Sequence, residues 1–99
     1  MTLLFEWNEN KARLNRKKHG VSFEEAKTIF NDPFQITFLD EFHSTEEERQ
    51  ISIGLSGRRR VLLVVHTERD QSGDLVIICI ISARKATPSE QKTYEENEG

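Results

Sequence analysis

The sequence predicts an α+β domain: an antiparallel β-sheet of about five strands, preceded by two helices and followed by one. Three observations predict it. Apolar residues recur with a helical period as far as Pro33 and with a period of two after it. Two later runs, "RVLLVVHT" and "DLVIICIISA", are apolar almost without interruption, the pattern of strands covered on both faces. The helix-like segments carry capping residues, and the segments between strands carry turn residues. Residues 1–99 read as one domain, with no repeat, low-complexity tract or linker.

Each element has its own warrant. "TLLFEW" reads as a short first strand. Asn8 caps a helix over residues 9–18, whose segment "ENKARLNRKK" has only Ala12 and Leu14 as apolar residues. That helix is therefore mostly exposed and basic. Gly20 suits the left-handed position after it, and Lys17, Lys18 and His19 complement its negative end. Ser22 and Glu25 stand at capping-box spacing, and Val21 can staple onto Ala26. Ala26, Ile29 and Phe30 make the apolar stripe of this second helix, which Pro33 stops. "FQITFLD" then alternates Phe34, Ile36 and Phe38, and "RQISIGLS" alternates Ile51, Ile53 and Leu55, with the polar loop "EFHSTEEE" between them. "SGRR" and "RDQSG" are the remaining turns. In "TPSEQKTYEE" Thr87 caps, Pro88 takes the first helical position and Glu90 closes the box. Tyr94 is its one large apolar residue, so packing alone holds this last helix weakly.

The net charge of −3 hides a block pattern. Residues 1–20 carry five basic and two acidic groups, residues 21–50 two and eight, residues 51–85 six and three, and residues 86–99 one and four. The basic blocks suit a polyanion and the acidic blocks a basic partner; each block also reads simply as a solvated face. No apolar run reaches the roughly 18 residues that span a membrane. "MTLLFEWNENK" lacks the basic lead and cleavage site of a signal peptide. The single cysteine, Cys79, reads as a buried, reduced thiol of a cytoplasmic protein.

Hairpin register gathers the polar residues. A turn centred near Gln71 sets His66 across from about Leu75 or Val76 and Arg84 across from about Arg58, and a tight turn at Gly57 sets Arg49 opposite His66. Two clusters follow. One holds Arg58, Arg59, Arg60, Arg84 and Lys85, with Glu90 and Tyr94 nearby; the other holds Arg49, His66, Glu68 and Arg69. Converging cations are tolerated when solvated or when an anion binds. Arg84 reads equally as half of a salt bridge to Glu90 or Glu95. His19 reads as a helix-end cation or as a catalyst. "HSTEEE" lacks metal-ligand spacing, and no phosphate loop, cysteine pair or Ser-His-Asp arrangement is legible.

The stretches "FEWNENKARLNRKKHGVSFEEAKTIFNDP", "RQISIGLSGRRRVLLVVHTER" and "IISARKATPSEQKTYE" resemble the BrnT family, from about Phe5 to Glu95. The most specific parts are the "KHGVSFEEA" join, "ISIG", "VVHTER" and "ISARKAT…E…Y". The resemblance implies a toxin of a bacterial type II toxin–antitoxin module with a RelE-like fold. It implies a ribonuclease that blocks translation without a metal or cofactor, in which the 2′-hydroxyl attacks the adjacent phosphate. Its partner would be a DNA-binding, BrnA-like antitoxin in a 2:2 complex, and promoter DNA would be met only through that antitoxin. In this reading Arg84 matches an arginine at the end of the last strand and Tyr94 orients or stacks a base. His66 supplies acid–base chemistry beside Arg49, while Arg58, Arg59, Arg60 and Lys85 hold RNA. RelE-like nucleases are usually strongly basic, and this chain departs from them in being acidic. The competing expectation is a non-catalytic module that tunes the antitoxin's repression.

Overall fold

Five strands and three helices, in a computed structural model describing residues 1–41 and 48–98, follow the predicted order closely. They are β1 (Thr2–Glu6), α1 (Glu9–His19), α2 (Phe23–Lys27) running into a 3-10 turn (Thr28–Asn31), β2 (Ile36–Leu39), β3 (Gln50–Leu55), β4 (Val61–Asp70), β5 (Leu75–Lys85) and α3 (Pro88–Glu98). Most of the "EFHSTEEE" loop, His43 included, lies outside the described residues.

Local signals act as their chemistry requires. The Asn8 side chain accepts from the Lys11 N–H, and Gly20 takes the left-handed conformation (φ 70°) with its N–H on the Arg16 carbonyl. Ser22 caps α2 through the Glu25 N–H at 3.0 Å. The Glu25 carboxylate goes instead to Arg60 and Ser56, so the expected reciprocal half of that box is replaced by a tertiary link.

The fold is α+β, but its sheet is mixed rather than wholly antiparallel. Strand order is β1-β5-β4-β3-β2, with β1 parallel to β5 and every other pair antiparallel. The helices carry the chain from β1 across one face to the far edge, and the meander then returns β5 alongside β1. On that face Val21, Phe23, Ala26 and Ile29 pack against Leu62, Val64, Ile78, Ile80 and Ala83. On the other face Ile53 and Leu63 pack against Tyr94 of α3, with Ile36, Ile51, Val61 and Val65 around them. The central strands β4 and β5 feed apolar residues to both faces, which is why they read without alternation. Edge strand β2 leaves Phe38 and Leu39 exposed, and Cys79 is only half-buried.

The register of the β4–β5 hairpin corrects the expected one. β4 runs through the charged residues Glu68, Arg69 and Asp70 and turns beyond Gln71. His66 therefore pairs with Ile80 and Arg84 with Leu63, rather than with Leu75 or Val76 and Arg58. Gln50 pairs with His66, one residue from the expected Arg49.

Candidate active site

The site is built by an irregularity in β5. Ile78 and Ile80 face the helix-covered core, and unbroken alternation would send Ser82 and Arg84 the same way. Val65 pairs with Ser82 and His66 with Ile80, so Ile81 is one residue too many. Ala83 takes the next inward place. Ser82 and Arg84 turn to the opposite face, as a β-bulge re-aims side chains. There they line a cavity of about 370 Å³ with His19, Phe38, Asp40 and Glu90, over Ile51, Leu63 and Val65.

Asn15, which sequence reasoning passed over, fixes this strand end. β1 accompanies β5 only as far as the Glu6–Cys79 pair. Beyond it Asn15 serves as the missing neighbour. Its Nδ2 donates to the Ala83 carbonyl at 2.8 Å and its Oδ1 accepts from the Ala83 N–H at 3.1 Å, while Nδ2 also reaches the Val21 carbonyl at 3.0 Å. Asn15 is buried, so these bonds are its substitute for water. The clamp seats the residue next to Arg84 and docks the end of α1, which brings His19 to the cavity.

Arg84 forms the salt bridge that was one of its two open readings. Its Nη1 and Nη2 donate to Glu90 Oε1 and Oε2 at 2.8 and 2.9 Å. Glu90 Oε1 also accepts from the Thr87 N–H at 2.8 Å, and Thr87 Oγ1 accepts from the Glu90 N–H at 3.2 Å, completing the predicted capping box. The Arg84 guanidinium, outweighing burial and helped by Thr87, holds the Glu90 carboxyl down at about 2. The same bond raises the Arg84 pKa. The Arg84 side chain stays 38% exposed, open to the cavity.

The other expected residues divide. Arg59, Arg60, Lys85 and Tyr94 line a second cavity of about 520 Å³ between α3 and the β3–β4 turn. Arg58 and Arg59 are exposed on that turn, and Arg59 has φ 63°, the left-handed place that glycine usually fills in such a loop. Arg60 is engaged with buried Glu25, donating from Nε at 2.9 Å and from Nη2, and it holds the Glu25 carboxyl below its ordinary range. Tyr94 is 2% exposed, and its hydroxyl donates to Asp32 Oδ2 at 2.5 Å. Asp32 also accepts from the Leu55 and Phe34 N–H groups. Burial pushes the Asp32 carboxyl up, and these three bonds together bring it below its usual range. The Tyr94 ring offers no open face to a base in this conformation.

His66 lies on the helix-covered face, away from Arg84, and is 0% exposed. Its ring meets Phe30 edge-on at 5.0 Å, and Nε2 lies 2.7 Å from Ser52 Oγ, itself 2.7 Å from Thr37 Oγ1. Burial lowers its pKa to about 4, against a smaller opposing effect from the Thr67 backbone. Glu68 Oε1 is 4.0 Å from Nδ1. Ser52, His66 and Glu68 have the residue types of a nucleophile triad, yet Ser52 is also 0% exposed, so no substrate reaches its hydroxyl. Arg69 pairs with Glu6 on β1 at 2.5 Å. Strand alternation carried back one residue from β3 puts Arg49 on the face of Ile51, opposite His66. His66 and Arg49 thus do not share a site.

Residues 7–90 match the sequence model of a family described as "Ribonuclease toxin, BrnT, of type II toxin-antitoxin system". The chain belongs to this family. The BrnT assignment rests on more than four-fifths of the sequence and includes α1, the β5 bulge and Glu90. Among solved structures, the fold is similar to the crystal structure of the Brucella abortus ribonuclease toxin BrnT, with a TM-score of 0.58 and 21% identity over 88% of this chain and 99% of that one. No curated protein matches the chain. Among the described residues, no helix is long and apolar enough to cross a membrane, and no three His, Cys, Asp or Glu are grouped to hold a metal ion.

Proposed function

We propose that residues 1–99 act as one toxin domain in the bacterial cytoplasm, cleaving RNA in the Arg84 cavity without a metal ion and thereby blocking translation. A BrnA-like antitoxin neutralises it in a 2:2 complex, and only that antitoxin touches promoter DNA. The observation that carries the reading is the bulge at Ile81, which turns Arg84 out of the core and into a cavity on the open sheet face. A guanidinium there balances the charge that grows on phosphorus as the 2′-hydroxyl attacks. Arg49 belongs to the same face. Arg58, Arg59 and Lys85 form the exposed cationic rim along which the RNA backbone runs. Tyr94 and His66 act as scaffold in this proposal, because both are buried.

A second reading, the non-catalytic binding module, draws on one observation: both terminal nitrogens of Arg84 are already held by Glu90. Induction of wild type and Arg84→Ala in a bacterial host separates the two, with growth and RNA 5′ ends as readouts. Loss of one transition-state cation lowers cleavage by about 100-fold or more, and the partly exposed bridge contributes about 1 kcal/mol of stability. New RNA 5′ ends that vanish in the folded Arg84→Ala protein support the nuclease. Equal arrest by both proteins removes Arg84 from the mechanism.

A further inference from the structure

We infer that His19 is the catalytic imidazole of the Arg84 cavity, with Phe38 as the platform for a base; this rests on the ribonuclease reading. His19 is half-buried in the last turn of α1 and lines the cavity that holds Arg84. It also lines an adjoining cavity of about 230 Å³ with Ser82, Lys11 and Lys18. The shared residues make the two cavities one continuous surface, entered over the lysines of α1 and ending at Arg84. That is a route for a polyanion, and it gives the exposed basic helix a purpose beyond solubility.

Among the described residues, His19 is the one imidazole with exposed surface, since His66 has none. Its rival role is to complement the helix dipole. Arg16, Lys17 and Lys18 already place three cations in that turn, so a fourth group is not needed for it. Phe38 is 45% exposed at the cavity rim, an open ring where Tyr94 is closed. Unpaired RNA bases stack on such rings.

The chemistry balances within the RNA. The His19 imidazole accepts the proton of the 2′-hydroxyl as the O2′–P bond forms, and Arg84 meets the charge on the non-bridging oxygens. The P–O5′ bond breaks, the leaving oxygen takes a proton from water, and the imidazolium returns its proton to solvent. The products are a 2′,3′-cyclic phosphate and a 5′-hydroxyl, with nothing oxidised or reduced.

The test uses the purified full chain on a messenger transcript, presented free and on stalled ribosomes, with the new RNA ends identified chemically. His19→Gln should lower the cleavage rate at saturating RNA by about 100-fold while RNA affinity changes less than about threefold. Added imidazole should restore part of the activity of His19→Ala and none to Arg84→Ala. Phe38→Ala should weaken RNA binding and leave the fold unchanged by circular dichroism. Cleavage by His19→Gln within threefold of wild type overturns the assignment and leaves the ribonuclease reading intact. No cleavage by wild type in either presentation overturns both.

Discussion

A histidine that is neutral because of where it sits makes stability depend on acid. The His66 pKa is lowered from the ordinary 6.5 to about 4. Between those values the unfolded chain binds a proton that the folded chain does not, so stability rises with pH across this window and is lost as pH falls through it. The whole effect is on the order of 3 kcal/mol. Urea melts from pH 7 to pH 4 should show the decline in wild type and a flattened one in His66→Gln, whose amide can still meet Ser52. Growth arrest by His66→Gln should persist, since the imidazole is buried scaffold. Asn15 gives the companion prediction. Asn15→Ala strands a buried N–H and C=O of Ala83 and should lower stability by about 2–3 kcal/mol. The same change should reduce RNA cleavage, because it loosens the strand end that seats Arg84. The scaffold role of His66 was one of its two readings from the sequence, whereas that of Asn15 was not legible beforehand. Asn15 sits in a basic, polar run whose only message is solvent exposure, and the residue it grips is 68 positions away.

At the scale of elements, α3 has little apolar face and is held by Tyr94 and by the Arg84–Glu90 bridge. Glu90→Gln keeps the shape of the capping box and removes the charge that pairs with Arg84. Hydrogen exchange over residues 88–97 should accelerate, with β4 and β5 unchanged. The Glu90 carboxyl is held at about 2 against an ordinary 4.5, so its contribution is present above pH 4.5 and lost as pH falls towards 2. That window meets the His66 window at its upper end and is shared with the lowered carboxyls of Glu25 and Asp32, so the loss between pH 4.5 and pH 2.5 in wild type less the loss in Glu90→Gln reports it. Helix ends were the legible part of the sequence: Asn8, Gly20, Ser22, Thr87 and Glu90 act through bonds to residues three or four positions away. The β4–β5 hairpin was not. Its tip is charged because it is exposed, and the "RD" of "RDQSG" therefore looked like part of a turn while it continued a strand. That error set Arg84 four positions off along the partner strand, and the bulge, which leaves no mark in an unbroken run of isoleucines, added a fifth.

For the molecule as a whole, the charge blocks of the sequence fall on different elements, with cations on α1, the β3–β4 turn and Lys85 and, among the described residues, acids on α2 and on either side of β2. In the proposed complex a basic antitoxin segment would lie against the acidic block, with the exposed Phe34 and Leu39 supplying apolar surface. Light scattering of the co-expressed pair should give the mass of a 2:2 complex that weakens as salt rises; a mass equal to the toxin alone at micromolar concentration excludes it. The fold class was legible from the change of period at Pro33. The parallel pairing of β1 was not, because it depends on where helices deliver the chain and no local pattern records that.

That pairing has a consequence in time. Thr2 is matched with Leu75 and Glu6 with Cys79, so the first strand to leave the ribosome waits for the last one. A closure of that span is slow and comes late in folding. Asn15 waits for Ala83 in the same way, and until both arrive Arg84 has no fixed seat. Nascent chains stalled before residue 75 should show no protease protection of residues 2–19, which appears only once β5 has emerged. The candidate site is therefore complete only after the final strand has emerged, and the order of synthesis itself delays its assembly.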